Sequence, residues 1–204
     1  GTLGFGGHTL EIFNRLSKKG GIVSTDVDLS AFNYCKEKFK GEDRIKLYNF
    51  NFSLFDVIAK IESLEFFDGI LADLGVSSFQ LDNTAAGFSY SMNTMLDLRL
   101  DKSLRKTAAD FINYEPEEKI ADVIFEFGEE KNSRKIARRI SETRKVKRIE
   151  TTDELKKIIS SVTNPKYLTK TLSRVFQALR IYLNDELGAL TLFLQNSVSV
   201  LRKG

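Results

Sequence analysis

The first hundred positions alternate between two hydrophobic periods. Over residues 9–18, Leu10, Ile12, Phe13 and Leu16 recur at helical spacing, and Gly20-Gly21 ends the run. Residues 22–26 form a short apolar run closing on an acid, which predicts a strand. Residues 29–39 return to helical spacing, with Phe32, Cys35 and Phe39 on one stripe. Residues 44–52 alternate through Ile45 and Leu47 into aromatics and predict a second strand. A third helix is predicted over 54–64. Residues 66–74 are almost continuously apolar, as expected of a strand covered on both faces. Such alternation predicts an α/β fold, a parallel sheet with right-handed crossovers.

Beyond residue 102 the pattern becomes helical throughout. Residues 108–113, 116–127, 132–144 and 152–162 all read as helices. Pro116 sits at a first turn with Glu117 and Glu118 near the positive end of the helix dipole. We therefore expect an all-helical domain over 103–170, inserted into a core made of 1–102 and 171–204. From residue 171 one long amphipathic helix is expected, with Phe176, Leu179, Leu183, Leu187 and Leu190 as its apolar stripe. Gln177, Arg180 and Asn184 share another face. Residues 96–101 alternate apolar and charged, which predicts an exposed strand with Asp97, Arg99 and Asp101 on one side. A doubly wound sheet would need a central strand before Gly1 and another after Gly204. These residues are thus expected to be part of a longer protein.

Composition adds modest limits. The chain has 204 residues, 42% apolar and 29% charged, enough for a real core. No apolar run approaches the roughly 18 residues of a membrane span, and no leader pattern opens the chain. No membrane partner and a cytoplasmic location are expected. The single cysteine, Cys35, excludes an internal disulfide framework and reads as a buried small hydrophobe on a helix. The net charge is only +3, but residues 131–148 hold nine Lys/Arg against one acid, Glu142. Such a run suggests an anionic macromolecular partner.

The chemistry concentrates in two places. Gly4, Gly6 and Gly7 permit a tight turn and close approach to a ligand, and a helix begins there. A nicotinamide-type fingerprint needs a third glycine at position 9, which is Thr9. Asp26 ends the second predicted segment, where an acid can accept ribose hydroxyls. The second place is residues 71–82, where an apolar run reaches Asp73, then Gly75, Ser77, Ser78, Gln80 and Asp82. Ligands of α/β sheets bind beyond the carboxyl ends of their strands, so Asp73 and Gln80 are candidates for substrate or cofactor contact. Phe88 and Tyr90 could stack on a base. His8 is the sole histidine. It serves equally well as a local cap or a ligand contact. A hydrolase triad is excluded by the missing GxSxG elbow, and a zinc site by too few His and Cys. Arg134, Lys135, Arg138 and Arg139 recur at three- and four-residue steps and predict a basic helix face, either for phosphates or simply solvated.

These motifs resemble the bacterial small-subunit ribosomal RNA cytosine-N4 methyltransferase family. The resemblance rests on residues 2–8, 25–28, 73–82, 87–89, 96–101, 127–130, 176–181 and 184–187, in family order. It implies a class I (Rossmann-like) S-adenosylmethionine-dependent methyltransferase core. It further implies that cofactor is held by Gly4, Gly6, Gly7, His8, Asp26, Phe52, Asp73 and Gln80, with Asp73 the catalytic candidate and no metal. The implied partner is small-subunit ribosomal RNA or the assembled small subunit, contacted by Asp97, Arg99, Arg134, Lys135, Arg138, Arg139, Arg180 and Asn184. Either a monomer or a homodimer is compatible. The family's His-Pro-Ala-Thr-Arg before Phe-Gln-Ala is replaced here by residues 170–175, where only Arg174 persists. Two other readings remain open: a methyltransferase acting on another nucleic acid, and a non-catalytic RNA-binding assembly factor on the same fold.

Overall fold

A computed structural model of the chain describes residues 2–75 and 87–202. The contacts divide it into two compact units, Gly1–Gly75 with Leu187–Gly204, and Val76–Glu186. The second unit therefore takes in residues on both sides of the 103–170 stretch. As a whole the structure is mixed α/β, mostly helical with a small parallel sheet.

In the first unit, helix α1 (Gly7–Arg15) leads to strand β1 (Ile22–Thr25), helix α2 (Leu29–Lys38), strand β2 (Ile45–Tyr48) and helix α3 (Phe55–Ile61). Strands β1 and β2 pair in parallel, Ile22 opposite Ile45 and Thr25 opposite Tyr48. Asp28 caps α2 by accepting from the N–H groups of Ser30 and Ala31. Cys35 is buried on α2, as its place on the stripe predicts. Arg44 supports the turn between α1 and β1. Its guanidinium donates to the carbonyls of Ser17, Lys18 and Gly20 and lies 4.3 Å from the Phe13 ring centroid.

The run 66–74 is not a strand. It makes one parallel bridge, Phe67 to Leu201, and Phe66, Leu71 and Leu74 stay exposed. A strand exists only where a neighbour completes its ladder. Here a cleft of about 740 Å³ separates the run from β1, lined by Ile12, Leu16, Val23, Phe55, Phe67 and Ile70. Among the described residues no strand fills it.

The second unit holds helices α4 (Ala108–Tyr114), α5 (Glu117–Gly128), α6 (Ser133–Arg144), α7 (Thr152–Ser160) and α8 (Leu168–Leu183). One continuous core joins them, including Phe111, Ile124, Ile140, Ile159 and Leu179. Capping boxes start α4 at Thr107/Asp110 and α7 at Thr151/Glu154. The Glu154 pKa is lowered to about 2, first by its bond with Lys147 and then by the N–H groups of Glu150 and Thr151.

Two further expectations are corrected. Residues 96–101 alternate in burial, with Leu96 and Leu98 inside, but they form no strand. The carbonyls of Leu96 and Asp97 are instead taken by the N–H groups of Ala109 and Ala108, so the segment caps the start of α4. Leu98 adopts φ 60°, which breaks an extended run. The long helix from residue 171 is two helices. It begins at Leu168 and stops at Leu183, and α9 (Glu186–Val200) follows after Asp185 at φ 47°. Leu187 and Leu190 thus belong to α9 and to the other unit. No described helix is long and apolar enough to cross a membrane.

Candidate functional site

The glycine loop precedes α1 and hangs on the end of β1. Leu3 donates to the Thr25 carbonyl at 2.7 Å, and Gly6 closes a turn onto the Leu3 carbonyl at 3.0 Å. Gly4 and Gly6 have φ of 52° and 74°, a region costly for other residues. At Gly6 a side chain would also strike Phe39 at 2.7 Å and the Cys35 sulfur at 3.0 Å. At Gly4 and Gly7 an added Cβ meets nothing within 4 Å, so open space lies against the backbone there. From behind, Cys35 Sγ donates to the Gly4 carbonyl and Lys38 Nζ to the Phe5 carbonyl. Burial pushes the Cys35 thiol up to about 11, which keeps it a neutral donor near pH 7.

Asp26 stands at the mouth of the same loop. Its Oδ2 accepts from Gly4 N at 2.7 Å and its Oδ1 from Asp28 N at 2.9 Å. Burial raises its pKa above the usual carboxylate range, and the N–H groups of Asp28, Gly4 and Val27 oppose that rise. Each oxygen keeps a further lone pair that could accept a ligand hydroxyl. Asn49 donates to the Asp26 carbonyl, tying the end of β2 to this corner.

Asp73 is brought to the loop by Thr2. The Asp73 N–H donates to Thr2 Oγ1 at 2.9 Å, while Thr2 bridges Thr25. Its carboxylate lies 3.7 Å from His8 Nδ1, and both side chains are exposed. Such a pair is weak in water, so both groups remain available to a ligand. Gly4, Gly6, Gly7, His8, Asp26 and Asp73 are therefore gathered in one place. Phe52 is turned toward the core, against Phe193 at 5.4 Å, in a short 3₁₀ turn capped by Asn51. The more open aromatic after β2 is Phe50, stacked on Tyr48. Gln80, like Ser77, Ser78 and Asp82, lies outside the described residues.

In the second unit the basic positions divide into two kinds. Arg134, Lys135, Arg138 and Arg139 are exposed on α6. Arg138 is only 4.0 Å from Glu117, and Arg139 is 3.3 Å from Glu142. Arg99, Arg180 and Asn184 are engaged internally. Arg99 pairs with Asp97 and donates to the carbonyls of Lys102 and Leu104. Lys102 adds a second cation to Asp97, and these partners lower the Asp97 pKa despite its burial. Arg180 forms a two-bond pair with Glu186, at 2.6 and 3.0 Å. Asn184 accepts from Leu100 N at 2.7 Å and donates to Leu98 O at 2.8 Å, holding the 96–104 segment on α8.

Sequence reasoning missed three polar anchors. Asn113 bonds both backbone groups of Ile149, Arg144 caps the end of α4, and buried Glu130 faces Arg174. The spacing of Gly128, Glu129 and Glu130 after a helix was the available signal for the last. Among the described residues no cluster could hold a metal ion.

The ribosomal RNA small subunit methyltransferase H of Caldicellulosiruptor bescii is 41% identical over 204 residues, covering 100% of this chain and 66% of its own length. That of Hydrogenobaculum sp. is 42% identical, with 100% and 68% covered, and that of Clostridium botulinum strain Kyoto is 40% identical, with 99% and 66% covered. The chain thus spans about two thirds of the length of these curated relatives. A model of the MraW methylase family matches residues 1–204, and the chain belongs to that family.

Proposed function

We propose that the protein transfers methyl from S-adenosylmethionine to the exocyclic N4 amine of a cytidine in the decoding region of small-subunit ribosomal RNA. The match of the whole chain to one methylase family carries this reading. The site geometry supports it. Open space against Gly4 and Gly7, beside an acid with spare acceptor lone pairs, suits an adenosine-type cofactor. A class I core extends the two-stranded parallel sheet and the α/β order of the first unit.

The cofactor supplies an electrophilic methyl on a sulfonium. Gly4, Gly6, Gly7 and His8 would form its cradle, Asp26 would accept the ribose hydroxyls, and Asp73 with Gln80 would complete its surroundings, whereas Phe52 faces Phe193. The cytosine amine is a weak nucleophile because its lone pair is delocalised into the ring. Holding it in line therefore supplies much of the rate. Asp73, at the end of the apolar run, would accept a hydrogen bond from that amine, and the proton lost on methylation would go to a carboxylate or to water. The base leaves its stack to reach the site. The helical stretch 103–170 serves RNA recognition, with the basic face of α6 on phosphates.

Calorimetry with S-adenosylmethionine on the full-length protein and on these 204 residues tests the first half. Binding by the full-length protein is expected; binding by neither overturns the reading. Asp73→Ala is expected to abolish methylation of small-subunit RNA. Retained turnover with normal cofactor binding would remove its chemical role.

A further inference from the structure

The motif Phe127-Gly128-Glu129-Glu130 is not used by the cofactor site or by the α6 face, yet it builds a specific junction. Gly128 ends α5 flush against α8, where an added Cβ would lie 2.6 Å from the Arg174 carbonyl. Glu129 then turns the chain with φ 51°. Glu130 points inward, its side chain only 4% exposed, and Lys131 emerges at the surface. A buried carboxylate is costly unless compensated. Here Oε1 accepts from Asn132 N at 3.0 Å, and Oε2 faces Arg174 Nη1 at 3.7 Å.

Arg174 is the informative partner. Its side chain is 31% exposed, and Glu130 is its one ion-pair partner among the described residues. A guanidinium carries five N–H donors in a rigid fork suited to phosphate. Engaged on one side at 3.7 Å, it keeps donors for an external acceptor. The surroundings favour an anion. Lys131, Arg134 and Lys170 are exposed and have no ion pair among the described residues. Beside Arg174 on α8, Ser173 shares a hydrogen bond with the Tyr90 hydroxyl at 3.0 Å, and Gln177 is exposed.

We propose that the nucleic-acid surface continues from the start of α6 onto α8, where Arg174, oriented by buried Glu130, binds an RNA phosphate. This rests on the RNA-methylation reading above. Glu130 is a positioning residue: it fixes the direction of the fork and does not itself touch RNA. Arg174 is the contact, with Lys170 and Lys131 flanking it.

The test uses the full-length protein and a fluorescein-labelled single-stranded RNA 20-mer, with anisotropy followed across a salt titration. Arg174→Ala is expected to weaken binding about five- to tenfold and to reduce the salt slope by about 0.7 to 0.9, one phosphate's worth. Glu130→Gln keeps the Arg174 charge but frees its direction. It is expected to weaken binding about threefold, and to have no further effect once Arg174 is alanine. That coupling would not arise from a purely structural Glu130. If Glu130→Gln fails to fold, Arg174→Ala and Lys170→Ala decide the matter alone. Unchanged affinity and slope in folded Arg174→Ala, while charge reversal on α6 still abolishes binding, overturns this inference and leaves the functional reading intact. Absence of RNA binding by the unaltered protein overturns both.

Discussion

Two single carboxylates carry opposite pH signatures. Glu154 is ionised more easily in the folded chain than in an unfolded one, with its pKa at about 2 against an ordinary 4.5. Its contribution to stability is therefore fully present above the ordinary value and is lost as pH falls toward about 2. Glu154→Gln should cost about 1 kcal/mol near neutral pH, the usual worth of a cap. Its stability curve should flatten in the acid range, as chemical unfolding at several pH values would read. Asp26 is shifted the other way, so protonation sets in above the usual carboxylate range. If its ionised oxygens accept ribose hydroxyls, cofactor affinity should fall as pH drops through that raised point. Asp26→Asn should bind weakly with that dependence removed. A calorimetric pH series on both proteins checks this, and an unchanged pH profile in the variant would assign the ribose contact elsewhere. Asp26 was legible as an acid ending a strand. That the same carboxylate anchors Gly4 was not, because that bond spans 22 residues of sequence.

At the scale of elements, the breaks matter more than the helices. From residue 171 the sequence reads as one amphipathic run because Leu183, Leu187 and Leu190 keep helical spacing across the break. The chain stops because the Asn184 side chain bonds Arg180 O, Leu98 O and Leu100 N, and Asp185 turns left-handed. Asn184→Ala removes those bonds and leaves two backbone groups of the 96–104 segment without a partner. A loss of about 1 to 3 kcal/mol is expected in denaturant unfolding. Gly128→Ala drives a methyl into the Arg174 carbonyl at 2.6 Å. About 1 to 3 kcal/mol of overpacking cost should follow. Thermal melts of both variants check the order of magnitude, and a neutral Gly128→Ala would mean that α5 and α8 can separate there. The helix starts were readable because their signals are local: Pro116 with Glu117 and Glu118, and the start at residue 152, which the structure shows capped by Thr151 and Glu154. The strand over 66–74 was misread because strand formation depends on a partner elsewhere in the chain.

For the whole molecule, the two units differ in how much they bury. The large continuous core runs through residues 88–179 and includes the interior faces of α4 to α8. In the first unit many apolar side chains stay open, among them Val57, Ile61, Leu64 and Phe66. Local stability follows buried apolar contact. Hydrogen exchange on these 204 residues should therefore show slow amides at Ile124, Ile140 and Ile159 and faster ones at Val23 and Leu47. Equal protection would mean that the parallel pair is held by more than its visible contacts. Charge acts at this scale too. Replacing Arg134, Lys135, Arg138 and Arg139 with Glu should abolish RNA binding at moderate salt, while S-adenosylmethionine affinity changes little. Unchanged RNA affinity would reject the α6 face.

The sequence alone determined whatever is set by neighbours a few residues apart. It yielded most of the helices and their caps, the β1 and β2 strands, the glycine loop with its acid, the basic face of α6 and, through strings such as residues 73–82, the family. Tertiary structure decided what depends on partners far along the chain. It left residues 66–74 with a single bridge, gave the carbonyls of Leu96 and Asp97 to α4, and split the last long helix at Asn184. It also turned Phe52 toward Phe193 and committed Arg99, Arg180 and Asn184 to internal partners. The reason is physical. Periodicity and capping are short-range and written locally, whereas a hydrogen-bond partner for a buried polar group is supplied only when distant segments meet.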